Sequence, residues 1–171
     1  MESRPKIKLV LTKWDKVLES VCITLLMILW ITILASYAQL PDTIPIHYNA
    51  LGKADGYGNK TSILFLPIVA TTIYIGMTLL NKYPHIYNYG TSVTLKNAKT
   101  LYTSATRLFR IIKLGVVLIF TAIVFMTIKI STGVYSGLGS WFLSALITLL
   151  IVPNIYYIMK TTNSELTRRE H

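Results

Sequence analysis

The hydrophobic pattern of the chain is dominated by four long apolar stretches separated by polar segments. They cover residues 17–38, 62–80, 111–130 and 138–159. Each is close to the length of about 20 apolar residues that a helix needs to cross about 30 Å of hydrocarbon. Inside lipid every backbone N–H and C=O must be paired within its own segment, so each stretch is expected to be helical. The sequence therefore predicts an all-α integral membrane protein, a bundle of four transmembrane helices.

The segment before the third span has an amphipathic pattern. Residues 95–110 contain no Gly or Pro, and their apolar residues recur at steps of three and four positions. That period is typical of a helix with one apolar face. We expect an amphipathic interfacial helix on the inner leaflet that continues into the third span. Its candidate contacts with lipid or with a partner are Lys96, Lys99, Tyr102, Arg107 and Arg110.

The basic residues are unevenly placed along the chain, which has a formal net charge of +10. Fourteen of the 17 Lys and Arg residues lie before the first span, between spans two and three or at the start of the third, or after the fourth. Since basic residues are retained on the cytoplasmic side, both termini and the middle loop are predicted to be cytoplasmic. We then expect these basic residues to contact the headgroups of the lipid bilayer, which is their partner. Direct binding of nucleic acid is not expected.

These boundaries divide the chain into five parts. They are a basic N-terminus (1–16), a two-span domain (17–81) with an outer loop (39–61), a cytoplasmic loop with the amphipathic helix (82–110), the third and fourth spans (111–159) and a tail (160–171).

Lys113 and Lys129 bound the third span, about 24 Å apart along a helix axis. Each is expected to extend its amine to the nearer interface.

The outer loop holds the most varied set of polar groups in the chain. Prolines and glycines restrict its backbone and supply its turns, and such exposed loops commonly carry binding residues. The candidate ligand-binding residues are Asp42, Pro45, His47, Asn49, Gly52, Asp55 and Lys60. The alternative is a solvated loop in which the Asp and Asn side chains only cap turns.

Other chemistries at this loop are weaker alternatives. His47 with Asp55 or Asp42 offers metal ligands, but one His and two carboxylates at irregular spacing are a poor match to known metal sites. An outer-face metal-dependent enzyme would use His47 as base or ligand. Because the sequence has no nucleophile motif, we assign no catalytic residue and no cofactor. Titration of His47 between pH 5 and 7 is a further hypothesis.

A small transporter or accessory subunit is the third class. Ion-coupled carriers usually keep an acidic group within the membrane, and no Asp or Glu lies in the central part of any span. Four short spans also leave little room for a pathway unless the protein forms oligomers.

The outer loop resembles a family signature. The matching positions are Leu40-Pro41-Asp42, Ile44-Pro45, His47, Asn49, Gly52, Asp55-Gly56, Gly58 and Lys60. They are similar to the LPDxIPxHxNxxGxxDGxGxK loop of an uncharacterised bacterial membrane domain in the SdpI-like immunity and signalling family. The middle loop resembles that of short four-span members through Asn88-Tyr89, Asn97-Ala98, Leu101-Tyr102 and residues 107–110. Gly90 stands where a proline is expected, and Lys96 stands where an acid is expected.

The resemblance implies an inner-membrane protein that, in some members, protects against a secreted toxic peptide and relays its presence to a cytoplasmic repressor. We therefore expect a non-enzymatic protein whose outer loop binds a peptide, lipid or protein. The basic inner surface would be available to a cytoplasmic regulator. Binding would change the packing of the first two spans and, through it, the segment 82–110.

Overall fold

The computed structural model describes the backbone of residues 4–169 and the side chains of residues 4–159. Its long helices are α1 (Lys13–Ser36), α2 (Phe65–Leu80), α3 (Ala98–Ser131) and α4 (Trp141–Arg169). Four helical segments in these positions are long and apolar enough to cross a membrane. The predicted fold class is confirmed: the chain is a mostly helical protein of the multi-pass membrane type.

α1 begins where its sequence satisfies the free N–H groups of a helix start. The Asp15 N–H donates to Thr12 Oγ1 at 3.3 Å, and the Thr12 N–H donates to Asp15 Oδ2 at 2.9 Å. This reciprocal pair is a capping box. α2 begins two residues before Pro67, in the first turn of a helix, where the missing N–H of proline costs no hydrogen bond.

α3 is the central helix of the bundle, since α1, α2 and α4 all pack on it. The buried core lies between α1 and α3, with contributions from α2 and the outer loop. Its members are Cys22, Leu26, Leu29, Ile33, Leu40, Ile44, Ile63, Ala70, Val117, Val124 and Ile128. α4 is peripheral: within residues 141–159, no side chain is buried.

The first turns of α3 form a second small core. It consists of Ala98, Leu101 and Tyr102 with Ile7, Leu9, Tyr89 and Val93. The Tyr102 hydroxyl donates to the Pro5 carbonyl at 3.0 Å, which holds the N-terminal segment against the helix. The amphipathic segment does continue into the third span, as predicted, but protein covers its apolar face. The 34 residues of α3 measure about 51 Å, roughly 20 Å more than the hydrocarbon layer.

The outer loop contains the one sheet within the described residues. β1 (Thr43–Tyr48) and β2 (Ala54–Asn59) pair as an antiparallel hairpin. The register runs from Thr43 opposite Asn59 to Tyr48 opposite Ala54, with shifts on either side of His47. Such irregularities bend the strand and re-aim its side chains. We refer to the end of the bundle that carries residues 43–59 as the hairpin side, and to the other end as the N-terminal side.

Candidate functional site

Asn49 builds the tip of the hairpin. Its Oδ1 accepts hydrogen bonds from the N–H groups of Leu51 at 2.9 Å and Lys53 at 3.1 Å. Its own N–H donates to the Lys53 carbonyl at 2.9 Å, and its carbonyl accepts from the Gly52 N–H at 2.8 Å. Asn side chains commonly stabilise turns in this way. The alternative in which polar side chains cap turns therefore applies to Asn49, whose contact with a ligand stays a prediction.

The hairpin tip is fixed to the turn between α3 and α4 by backbone contact. The Leu138 N–H donates to the Gly52 carbonyl at 2.7 Å, and Lys53 forms an isolated antiparallel bridge with Gly137. A Cβ at Gly137 would lie 2.5 Å from the Gly52 oxygen. The two loops approach so closely because glycine leaves room for the backbone. The hairpin is thus held over the start of α4.

Two close polar pairs lie on the hairpin or directly beside it. His47 Nδ1 is 2.5 Å from Asp55 Oδ1, and Lys60 Nζ is 3.0 Å from Asp42 Oδ1. The structure thus brings His47 to Asp55 but gives Asp42 a different partner. No group of three His, Cys, Asp or Glu side chains that could hold a metal occurs in the part of the chain that the structure describes. His47 and Asp55 remain weak metal candidates on this geometry.

A cavity of about 930 Å³ lies beneath the hairpin. Its volume is within the range of about 300–1,000 Å³ typical of small-molecule sites. β1 forms the roof, α3 the floor, and the starts of α2 and α4 the walls. The lining residues are Ile44, Pro45, Ile46, His47, Tyr48, Asn49, Ala50, Gly52, Ser62, Ile63, Phe65, Leu66, Ile123, Thr127, Leu138, Phe142, Leu143 and Leu146. We call this space the hairpin cavity.

A hydrogen bond joins the roof of the hairpin cavity to its floor. The Tyr48 hydroxyl and Thr127 Oγ1 are 2.8 Å apart. Burial raises the pKa of the Tyr48 hydroxyl, which keeps it neutral and able to share a proton with Thr127. Thr127 is itself buried. The pair therefore links the hairpin mechanically to α3.

The predicted loop residues divide into two groups. Pro45, His47, Asn49 and Gly52 line the hairpin cavity. The other three are outside the lining: Asp55 lies on β2, and Asp42 and Lys60 flank the hairpin. The residues that sequence reasoning missed are Tyr48, Thr127 and the apolar wall residues of α3 and α4. Their spacing gave no signal, since Tyr48 and Thr127 are 79 positions apart.

A charge cluster lies between α1 and α3 on the N-terminal side of the bundle. Its acidic members, Asp15 and Glu19, lie on α1, and its basic members, Arg107, Arg110 and Lys113, lie on α3. Arg107 Nε is 3.0 Å from Asp15 Oδ1, and Arg110 Nε is 3.1 Å from Glu19 Oε1. The signals in the sequence were the four-residue step between the acids and the three-residue steps between the bases, which place each set on one helix face.

Lys113 does not extend to the interface as predicted. Its side chain is fully buried, with Nζ 2.6 Å from Glu19 Oε2 and 2.8 Å from Thr78 Oγ1. The amine also lies 4.5 Å from the ring centroid of Tyr74. The prediction was wrong because α1 and α2 present an acid, a hydroxyl and an aromatic face to this part of α3. These partners offset the loss of hydration that otherwise drives a lysine outward.

Three of the five candidate partner residues on the N-terminal side make contacts within the protein. Tyr102 and Arg110 are buried, and Arg107 is ion-paired to Asp15. These three side chains therefore make contacts within the protein, and a contact of theirs with lipid or with a partner stays a prediction. Lys96 and Lys99 are exposed. A contact with lipid or with a regulator at those two lysines stays a prediction.

The fold and the hairpin cavity define a multi-pass helical membrane protein with a ligand-sized space at one end. Residues 24–71 match the model of a family described as a domain of unknown function (DUF1648). That match includes the hairpin and parts of α1 and α2, the stretch on which the sequence resemblance depends. It supports the coarser identification, a domain without an assigned function.

The chain is also similar to an uncharacterized protein of Archaeoglobus fulgidus. The two are 33% identical over 86 residues, which cover 46% of this chain and 47% of the archaeal protein. The chain thus spans about half the length of the curated relative that it matches. No solved structure matches the chain.

Proposed function

We propose that the protein is a non-enzymatic membrane receptor that binds a peptide, lipid or protein ligand at its hairpin side. The supporting observation is the hairpin cavity, a ligand-sized space whose lining contains four of the seven loop residues singled out from the sequence. In this proposal the hairpin is extracytoplasmic, both termini are cytoplasmic, and the protein lies in the cell membrane. The SdpI-like assignment, with a role in immunity or signalling, belongs to the same proposal.

α3 offers the route by which binding would be relayed. The Tyr48–Thr127 hydrogen bond ties the cavity roof to α3 near its last turn. The same unbroken helix carries the small core of residues 98–102 at its other end. A ligand that favours one position of the hairpin would bias the position of α3, and the exposed surface around Lys96 and Lys99 would report it to a cytoplasmic regulator. This route differs from the shift of α1 against α2 expected from the sequence.

Cysteine labelling tests the proposed orientation. With Cys22→Ala as background, His47→Cys should react in whole cells with a membrane-impermeant maleimide. Ile86→Cys, at a similarly exposed position, should react only after the cells are permeabilised. Basic residues concentrate on the N-terminal side, which is why this orientation is expected. Labelling of position 47 only after permeabilisation would refute it.

Photo-cross-linking in cells tests ligand binding itself. With p-benzoylphenylalanine in place of Leu143 on the cavity wall, we expect a discrete adduct that is identified by mass spectrometry. The adduct should disappear when Leu146→Trp fills the space, because a larger side chain would occupy the ligand volume. The matched control carries the photoreactive residue at Ile31 on the exposed face of α1. The same adducts from both positions, unaffected by Leu146→Trp, would contradict the proposal.

The His47–Asp55 pair is the single observation that favours an enzyme. The carboxylate holds the imidazole through Nδ1, as in sites where a histidine acts as general base through its other nitrogen. An enzyme of this kind would lose turnover in His47→Gln while it retained the photo-cross-linked adduct. A protein that only binds its ligand has no turnover to lose, so loss of turnover with an intact adduct would not be observed.

A further inference from the structure

We propose that the occupant of the hairpin cavity is a membrane lipid from the leaflet that adjoins the hairpin. Its acyl portion would enter laterally between α2 and α4, and its polar head would remain under the hairpin. This inference rests on the proposed function in one respect, the use of the hairpin cavity as the ligand site. It goes further by naming the ligand class and the direction of entry.

The packing of the helices leaves the hairpin cavity open towards lipid. α2 and α4 form its two walls, and both pack chiefly on α3, with at most a minor contact between them. At the edges of this gap, Phe65 is 67% exposed and Leu143 is 42% exposed. The segments 60–80, which includes α2, and 141–159 of α4 are each long and apolar enough to span the membrane. The gap between them therefore faces hydrocarbon, and a lipid chain reaches it without crossing water.

The lining chemistry suits an acyl chain. Towards α3 and α4 the surface is formed mostly by Ile, Leu and Phe side chains. The hydroxyls of Tyr48 and Thr127 bond to each other, and Asn49 Oδ1 is used by the turn. A polar ligand that entered deeply would leave its own donors and acceptors without partners, at a cost of several hydrogen bonds. A hydrocarbon chain carries no such groups.

The same chemistry disfavours an extended peptide in the deep part of the hairpin cavity. Each peptide residue brings one N–H and one C=O that need hydrogen bonds. A lipid needs polar contacts only at its head. His47 lines the roof with its side chain 71% exposed, so it lies where a head group would rest when the chain occupies the space below.

Photolabelling of the full chain in nanodiscs tests the inference. The probe is a phosphatidylcholine that carries a diazirine in one acyl chain, and labelled positions are mapped by mass spectrometry. We expect adducts on Ile123 and Leu146 to exceed, several-fold, those on the exposed α1 residues Ile31 and Leu34. Leu146→Trp should remove most of the cavity adducts, and Leu34→Trp should leave them unchanged. A uniform distribution over lipid-facing residues would overturn the inference.

The two proposals can fail separately. If the in-cell adduct at position 143 is a peptide and the lipid probe shows no preference for the hairpin cavity, the lipid inference is wrong and the receptor proposal stands. If neither experiment gives a cavity-specific adduct, both are wrong. Should Leu146→Trp not fold, Ile123→Phe on the cavity floor fills the same space from α3, and loss of lipid labelling is again expected.

Discussion

Replacement of Glu19 by Gln should destabilise the protein by about 3–5 kcal/mol, the usual cost of removing one partner from a buried ion pair. Replacement of Lys113 by Met should cost much less. Glu19 is the acceptor for both Arg110 at 3.1 Å and Lys113 at 2.6 Å. In Glu19→Gln the amide oxygen can still accept one hydrogen bond, but the fully buried Lys113 amine loses its only carboxylate partner among the described residues and is left with neutral groups, among them the Thr78 hydroxyl and the Tyr74 ring.

The asymmetry follows from the charge balance of the cluster. Two carboxylates face three cations, so the cluster carries one excess positive charge. Glu19→Gln increases that excess, whereas Lys113→Met removes it and leaves Glu19 paired with Arg110. A linear apolar chain of similar length can also fill the space of the buried lysine stem. Substitution of buried ionic groups by apolar residues of similar volume is often tolerated.

Thermal unfolding of the full chain in one detergent or nanodisc composition measures the difference. The matched control is Lys16→Gln, which removes an exposed charge from the same end of α1 and should leave the transition almost unchanged. The double variant Glu19→Gln/Lys113→Met should recover part of the stability lost by the single glutamate change, since the two groups interact directly. Equal losses for the two single variants would show that the charge balance does not govern this cluster.

The helices were predictable from sequence because the bilayer imposes a simple rule on length and polarity. The hairpin was less predictable from the sequence. The sequence predicted an outer loop with turns, but not that Asn49 and Gly52 would close a two-stranded ribbon docked on the α3–α4 turn. That docking joins the Gly52 carbonyl to the Leu138 N–H, and a contact between residues so far apart in sequence leaves no local pattern.

The candidate site shows the same limit. Pro45 and His47 were singled out because they stand in a polar, turn-rich loop, and they do line the hairpin cavity. Ile123 and Leu146 also line it, but in the sequence they look like any lipid-facing residue of a spanning helix. The charge cluster illustrates a partial signal: the spacing placed acids on one face of α1 and bases on one face of α3. Only the packing of the two helices shows that these faces meet.

Replacement of Gly52 by Ala should release the hairpin tip from the α3–α4 turn. Gly52 has φ of +73°, and a Cβ there would lie 2.5 Å from the Gly139 carbonyl oxygen, a backbone atom that cannot rotate away. Gly133 provides a matched control, because its φ of +76° is similar but a Cβ added there would meet no atom within 4 Å. Gly133→Ala should therefore show only the left-handed backbone strain, about 1–2 kcal/mol. Gly52→Ala should show that strain and the steric clash together.

Amide hydrogen exchange separates the two contributions. The Leu138 N–H is protected by its 2.7 Å bond to the Gly52 carbonyl, so its exchange should accelerate strongly in Gly52→Ala and little in Gly133→Ala. Release of the tip would also let β1 move away from α3, which would disturb the hairpin cavity. The yield of the cross-linked adduct at position 143 should therefore fall in Gly52→Ala alone. If the two variants lose equal stability and keep the same protection at Leu138, the docking of hairpin on turn does not hold the site together. A larger loss in Gly52→Ala together with faster exchange at Leu138 would identify this backbone contact as the support of the ligand site.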